Sequence, residues 1–337
     1  MKFMMLLPAL LLLALGCPAH AASSVEEAAP AGLAPLRLAA PFVPQALPLL
    51  HAGESEAFRK AGATAAFTFW RSPEQLRALV ANGQADAAVT ALPTAAVLAR
   101  RGVPCRVLAA YAAPLWLVGP THLAHDGEPP ADTFRRLLEN AVLLPFGPGN
   151  MPELALRMLA AQAGIDCTPR HCGSAMEALN LLRLGQGSVA LLPEPSASIA
   201  TADGEFAQLL DLRDVWATAF PEHPDMAAAC LVAVGPVAHD PSLRALLRQS
   251  FAQGMRQMAD APESVLAAAA ERHMEFNVIR ERVPDGGAAL LRSAPLLTGE
   301  RGKKAVLFVL QQLHELSPSS VGGALPADDF WDMGHDG

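Results

Sequence analysis

The chain repeats part of itself. Shifted by 102 residues, the stretch Ser72–Gly102 falls on Ser174–Gly204 without a gap. Eight positions are then identical: Ser72/Ser174, Leu79/Leu181, Gly83/Gly185, Gln84/Gln186, Ala88/Ala190, Pro93/Pro195, Ala95/Ala197 and Gly102/Gly204. Matches at Ala and Leu carry little weight in a chain rich in both. Those at Ser, Gly, Gln and Pro fall where backbone geometry selects the residue. Ser72 and Ser174 stand where a helix N-cap needs a side-chain oxygen. Gly83 and Gly185 stand where a helix stops. Each stretch reads as helix–strand–helix, which predicts two similar α/β units, one in each of two lobes.

The flanking sequence extends both units. Strands are expected at 36–40, 66–70, 87–90, 106–111 and 116–119, with helices at 44–61, 72–82 and 93–101 between them. In the second half, 141–146 and 189–192 read as strands, and 152–164 and 174–184 as helices. An all-apolar strand follows at 228–234. Beyond Asp240 only helices are expected, at about 242–259, 262–273, 286–294 and 302–316.

The N-terminus reads as an export signal. Lys2 is the only charge before Glu26, an apolar run extends from Phe3 to Leu15, and Ala19-His20-Ala21 offers a signal-peptidase site. The run is too short for a membrane-spanning helix. Residues 1–21 are thus assigned to a signal peptide. Leu13-Ala14-Leu15-Gly16-Cys17 offers a second processing route, lipidation at Cys17. Cleavage after Ala21 leaves about 315 residues, enough for two lobes. With 52% hydrophobic and 17% charged residues, they can bury a large core. A net charge of −8 without a Lys/Arg stripe argues against a nucleic-acid surface. Four cysteines would remain: Cys105, Cys167, Cys172 and Cys230. Cys167 and Cys172 are the preferred disulfide pair by proximity in sequence. Cys105 and Cys230, in apolar runs, equally read as small core residues.

The motifs together bring a family into view. They are Trp70-Arg71-Ser72-Pro73-Glu74-Gln75-Leu76, Asn82-Gly83-Gln84-Ala85-Asp86-Ala87-Ala88 and Ala91-Leu92-Pro93-Thr94. In the second half they are Gly149-Asn150-Met151-Pro152-Glu153-Leu154, Leu192-Pro193-Glu194-Pro195 and the closing Gly322-Gly323-Ala324-Leu325-Pro326. In this order the chain resembles the type II periplasmic solute-binding proteins of ABC importers, in the group that takes nitrate, sulfonates, taurine and pyrimidine precursors. The resemblance implies two α/β lobes joined by a two-strand hinge, with extra C-terminal helices. It implies lobe 1 from 35–118 and again from 226–337, and lobe 2 from 119–225, with the first crossing near Trp116–Pro120. It also implies a periplasmic monomer that hands a small molecule to ABC permease subunits, with no cofactor.

Open α/β sheets bind ligands at the carboxyl ends of their strands. In lobe 1 that selects Phe42 and Gln45, then Trp70 and Arg71, Thr90 and Thr94, and Trp116 near the hinge. In lobe 2 it selects Phe146, Asn150, Met151, Glu194 and, before the return strand, Asp225. Three chemistries are open to this set. The Gly147–Met151 loop before a helix could hold an anionic group on free N–H groups. Arg71 could supply a charge for a sulfonate, carboxylate or nitrate, or simply pair with Glu74. Phe42, Trp70, Trp116 and Phe146, four of only 18 aromatics, could stack on a planar ligand.

No His-Glu-x-x-His, Gly-x-Ser-x-Gly, Walker loop or clustered metal set occurs. His122 and His125 in a Pro/Gly-rich loop, and His171 beside Cys172, read as surface residues. The expectation is a binder of a small organic anion or aromatic molecule and not an enzyme. The alternatives are an enzyme on the same fold, of the menaquinone-pathway or pyrimidine-synthase kind, and a periplasmic sensor subunit.

Overall fold

Strand formation in the first half follows from apolar runs bounded by breakers. In this computed structural model, residues 34–283, 287–292 and 294–334 are described. The signal-peptide segment 1–21, Cys17 and the start of the helix expected at 286–294 lie outside them. β1 (Leu36–Ala40) ends at Pro41, and β2 (Ala65–Phe69) follows two short helices, α1 (Ala46–Leu50) and α2 (Glu56–Ala61). One helix was expected over 44–61. It is broken because a 3-10 turn at Ala52–Glu54 includes Gly53, and Ser55 then caps a fresh helix by accepting the Phe58 N–H. α3 (Pro73–Ala81), β3 (Ala87–Ala91), α4 (Leu92–Arg100) and β4 (Cys105–Tyr111) complete this half.

The second half contains β5 (Leu115–Pro120), α5 (Pro130–Leu138), β6 (Val142–Pro145), α6 (Met151–Ala163), β7 (Arg170–Cys172), α7 (Ala175–Arg183), β8 (Val189–Pro193), α8 (Ser196–Ala200), β9 (Phe206–Asp211) and α9 (Leu212–Ala219). The chain then returns through β10 (Ala229–Val234) and ends in α10 (Pro241–Asp260), α11 (Pro262–Arg272), α12 (Asn277–Arg282), α13 (Ala288–Arg292), the two-residue β11 (Leu296–Leu297) and α14 (Gly299–Leu316).

The internal repeat is structural. α3 and α7, and β3 and β8, coincide under the same 102-residue shift. Ser72 accepts the Gln75 N–H at 3.2 Å, and Ser174 accepts the Glu177 N–H at 3.1 Å. Gly83 and Gly185, which end these helices, have φ of +61° and +64°, a region open to glycine at no steric cost. Gln84 and Gln186 then close the same turn, donating to the carbonyls of Leu79 and Leu181.

The two sheets share a plan. The first runs β11-β4-β10-β3-β1-β2, and the second β7-β6-β8-β5-β9. In the first, β1 pairs parallel with β2 and β3, and β10 antiparallel with β3 and β4. In the second, β6 pairs parallel with β7 and β8, and β5 antiparallel with β8 and β9. The inserted strand in each sheet, β10 or β5, is contributed by a crossing of the chain.

That pairing moves the first crossing. Leu115–Val118, expected in lobe 1, pairs with β8 and β9, so the chain crosses at Ala112-Ala113-Pro114, ahead of Trp116. The return crossing lies between α9 and β10. The C-terminal helices divide. α10 packs on α1 and α2 of the first lobe, whereas α14 packs on both α4 and the second-lobe helix α6. Phe308 of α14 stacks on His223 with ring centroids 4.0 Å apart and meets Phe220 and Trp216 at 5.2 and 5.9 Å. Arg301 of α14 holds Asp225 with two bonds of 2.6 Å. α14 is thus a third tie between the lobes, beside the two crossings.

The four cysteines of the described residues are free thiols, so the pair preferred for a disulfide, Cys167 and Cys172, is not formed. Cys105 and Cys230 are buried in the core, which pushes the Cys105 thiol up to about 12 and the Cys230 thiol higher still. No helix among the described residues is long and apolar enough to cross a membrane.

Because the two caps are equivalent, Ser72→Ala and Ser174→Ala should each cost about 1 kcal/mol in urea unfolding. Being in different lobes, the two should add to within about 0.5 kcal/mol in the double variant. A serine whose loss costs nothing would show that its half does not use the cap.

Candidate functional site

The register of the strands determines which ends meet. Tyr111, the last residue of β4, lies opposite Ala229, which is also paired with Ala91, the last residue of β3. Across the crossing, Leu115 lies opposite Pro193, the last residue of β8. Only Ala112–Pro114 separates Tyr111 from Leu115, a span of at most about 14 Å. The carboxyl ends of β3 and β8 therefore flank the same crossing.

The side chains at these ends are polar and buried. Gln45 precedes α1 and is 3% exposed, and Thr90 in β3 is 1% exposed. Trp70 follows β2, its backbone N–H held by the carbonyl of Ala40 at 3.0 Å. Among the described residues, six buried side-chain nitrogen or oxygen atoms have no hydrogen-bond partner. Four belong to this set: Gln45 Nε2, Trp70 Nε1, Thr90 Oγ1 and Trp116 Nε1. The other two are His51 Nε2 and His314 Nδ1. Native proteins pair nearly all such groups, because leaving one unpaired costs about 1–3 kcal/mol. Three N–H donors and a hydroxyl left open at strand ends are suited to a ligand that supplies oxygen acceptors.

Glu194 ends the equivalent position in lobe 2. It is buried, and its two oxygens accept the Ser198 N–H at 3.1 Å and the Gln208 Nε2 at 3.0 Å. The Trp116 indole lies beside this carboxyl without making a bond of normal geometry. Burial pushes the Glu194 carboxyl above the usual carboxylate range, against the pull of these donors.

The loop after β6 is built differently from the expectation. Gly149 donates its N–H to Glu153 Oε2 at 2.6 Å, so this N–H is taken and is not free to cradle an anion. Asn150 is also fully used: its Oδ1 caps the Glu153 N–H, and its Nδ2 donates to the Gly147 carbonyl. The same device recurs at two other helix starts. Gln75 accepts the Arg71 N–H at 2.8 Å, and Glu177 accepts the Gly173 N–H at 2.7 Å. In each helix, the third residue reaches back past the N-cap, close to the capping-box pattern. That pattern is readable in the sequence and is the signal by which Glu153 could have been singled out. Gln208 had no such signal, because β9 was not expected.

Phe146 stands apart. It is 42% exposed and has φ of +71°, the one non-glycine residue with positive φ among those described. Such a conformation costs an L-residue about 1–2 kcal/mol and persists where surrounding structure imposes it.

The remaining expected residues are placed as follows. Arg71 is exposed; its backbone is bound by Gln75, and Glu74 pairs with Arg77 instead. Thr94 is half-buried in α4. Met151 is buried in the core at the start of α6. Asp225 is held by Arg301 through both oxygens. Phe42 packs on Phe276 and Phe69 at 5.0 and 6.3 Å. No two of Phe42, Trp70, Trp116 and Phe146 are in ring contact among the described residues, so the stacking cage is not assembled here. His125 lies 4.0 Å from Glu128, and among the described residues no three His, Cys, Asp or Glu side chains are grouped to hold a metal ion.

Solved structures share this architecture. The chain is similar to an ABC transporter protein from Parabacteroides distasonis, at 18% identity and a TM-score of 0.68, covering 88% of this chain and 98% of that one. It is similar to the periplasmic aliphatic sulphonate binding protein SsuA from Escherichia coli, at 13% identity and a TM-score of 0.66, covering 88% and 96%. It is also similar to the periplasmic nitrate-binding protein NrtA from Synechocystis PCC 6803, at 15% identity and a TM-score of 0.58, covering 84% and 83%. No protein-family model and no curated protein sequence matches the chain. The fold is the two-lobed α/β fold of the periplasmic binding proteins, as the resemblance implied.

Two measurements check this site. In the folded state Glu194 holds its proton to higher pH than in the unfolded chain, so its contribution to stability is present below the ordinary carboxylate range. That contribution is lost as pH rises through the folded-state value. Glu194→Gln should therefore gain stability relative to wild type between pH 4 and 8 in denaturant titrations. A difference independent of pH would show that the buried carboxyl is not perturbed. Phe146→Gly should change stability by less than about 1 kcal/mol, because relief of the left-handed backbone offsets lost contacts. A loss of about 3–5 kcal/mol, typical of a core Phe truncated to Ala, would make Phe146 a packing residue.

Proposed function

We propose that the protein is the solute-binding component of an ABC importer, exported to the periplasm, and that it captures a small molecule between its lobes without turning it over. The observation that carries this reading is the set of buried, unpartnered hydrogen-bonding groups on Gln45, Trp70, Thr90 and Trp116, residues that lie in or follow strands of the two sheets. Native proteins pair nearly all buried polar groups, and four of the six unpartnered ones among the described residues fall in this set. An oxygen-bearing solute would supply the missing partners. The likeness to sulfonate- and nitrate-binding structures supports the same reading.

The ligand class is a small organic anion or an aromatic molecule bearing acceptor oxygens, such as a sulfonate, a carboxylate or a carbonyl group. Its oxygens would be met by neutral N–H and O–H donors, Gln45, Trp70 and Thr90 on lobe 1 and Trp116 on lobe 2, with Arg71 at the exposed rim. The lobe 2 loop takes no part as an anion cradle, because Glu153 occupies the Gly149 N–H. Phe146 and Trp116 would add apolar contact on closure. The two crossings form the hinge about which the lobes close.

A thermal-shift screen over sulfonates, nitrate, aromatic acids, pyrimidines and metal chelates tests this. A true ligand at one hundred times its Kd should stabilise the protein by about 2.7 kcal/mol. Thr90→Val sharpens the test. With no ligand it should leave stability equal or higher, since it removes an unpaired hydroxyl, while weakening the ligand found by the screen about tenfold. Loss of stability without loss of affinity would make Thr90 structural, and turnover of a compound from the screen would overturn the binding reading.

A further inference from the structure

The Phe146–Met151 loop is tied down from outside its own residues, and the ties end on an imidazole. His171 in β7 points Nδ1 at the carbonyl of Phe146, 3.3 Å away, and Nε2 at Glu153 Oε1, 3.8 Å away. Glu153 is almost fully buried and spends its other oxygen on the Gly149 N–H. A two-residue relay, His171 and Glu153 at ion-pair distance from each other, therefore joins the left-handed Phe146 to Gly149 across the loop. Neither Glu153 nor His171 belongs to the set of strand-end residues expected to touch ligand.

The protonation state of the imidazole decides how well this relay works. Both neighbours of the ring are acceptors. A neutral imidazole has one N–H, so it satisfies either the Phe146 carbonyl or Glu153 and directs a lone pair at the other. An imidazolium donates to both. The charged groups around the ring act in both directions, with the Glu153 carboxylate favouring an imidazolium and neighbouring guanidinium groups opposing it. From α6 come Glu153 and Arg157, whose Nη1 is 3.5 Å from the same Glu153 oxygen. From α7, Glu177 is occupied by the Gly173 N–H. On its own strand, Arg170 turns to the carbonyl of Gln186 at 3.2 Å.

We infer that Glu153 and His171 are positioning residues that hold the Phe146–Met151 loop in the conformation presenting Phe146 to the cleft, and that protonation of His171 tightens the hold. The inference rests on the binding reading for what Phe146 meets, but the relay itself is defined without a ligand. Imidazoles change charge between about pH 5 and 8, so loop order, and the aromatic face offered to solute, would follow the acidity outside the cell.

The test uses the ligand-free protein labelled with 15N-glycine. Between pH 8 and 5 the Gly149 amide resonance should follow a single titration curve, absent in His171→Gln. Glu153→Gln, which keeps an acceptor oxygen but removes the charge, should also abolish the curve. At pH 5 the Gly149 amide should exchange with solvent about tenfold faster in His171→Gln than in wild type, after correction for intrinsic rates. A Gly149 resonance that does not titrate in wild type, or titrates unchanged in His171→Gln, overturns the inference. No solute enters these measurements, so a failed ligand screen with an intact Gly149 titration would count against the binding reading and leave the relay standing.

Discussion

Three residues, Ala112-Ala113-Pro114, constrain the rest of the molecule. They carry the chain from the last residue of β4 to the first of β5, and the register on either side brings the ends of β3 and β8 to the same crossing. A longer connection would let the sheets meet at any angle. One this short keeps the carboxyl ends of β3 and β8 near one another. Arg213 reinforces it from lobe 2, donating to the Ala112 carbonyl at 3.2 Å while bound to the buried Asp211 at the start of α9. Leu92 at the start of α4 donates to the carbonyl of Ala228 on the return crossing.

The core ties the two lobes together. One hydrophobic cluster runs through both lobes, from Leu76 and Leu92 to Leu117, Phe134 and Leu154, and includes α14 residues such as Val306 and Leu310. The ring stack of Phe308 on His223 lies within this continuity. Apolar burial is worth about 25 cal/mol per Å², so a motion that separates α14 from α6 would be costly. Ile199 of the second lobe also packs, part-buried, at the margin of the first-lobe core.

Against this well-packed background the site residues are exceptions. Open donors on Gln45, Trp70, Thr90 and Trp116, a carboxyl buried at Glu194 and a left-handed Phe146 each cost stability. Each is about 1–3 kcal/mol, which cores of this size offset. They fall at strand ends, where local rules for strand and helix place no demand. Local agreement elsewhere, in the repeated caps and glycine stops, makes these departures informative.

The sequence by itself determined the two α/β halves, their repeated helix–strand unit, the helix caps at Ser72 and Ser174, and the apolar strands. Each depends on neighbours a few residues away, through capping oxygens, glycine torsions and apolar runs. The strand-end rule also selected Gln45, Trp70, Thr90, Trp116, Phe146 and Glu194 before any contact was known. Only the tertiary structure decided that β5 belongs to the second sheet, that α14 spans the lobes and that Asp225 is spent on Arg301. Strand pairing and ion pairing join residues far apart in the chain, 76 positions for Arg301 and Asp225, and nothing local to either partner specifies the other. The resemblance between the halves was therefore legible in one dimension, while the groups left open for a solute emerge only once every other polar group has found its partner.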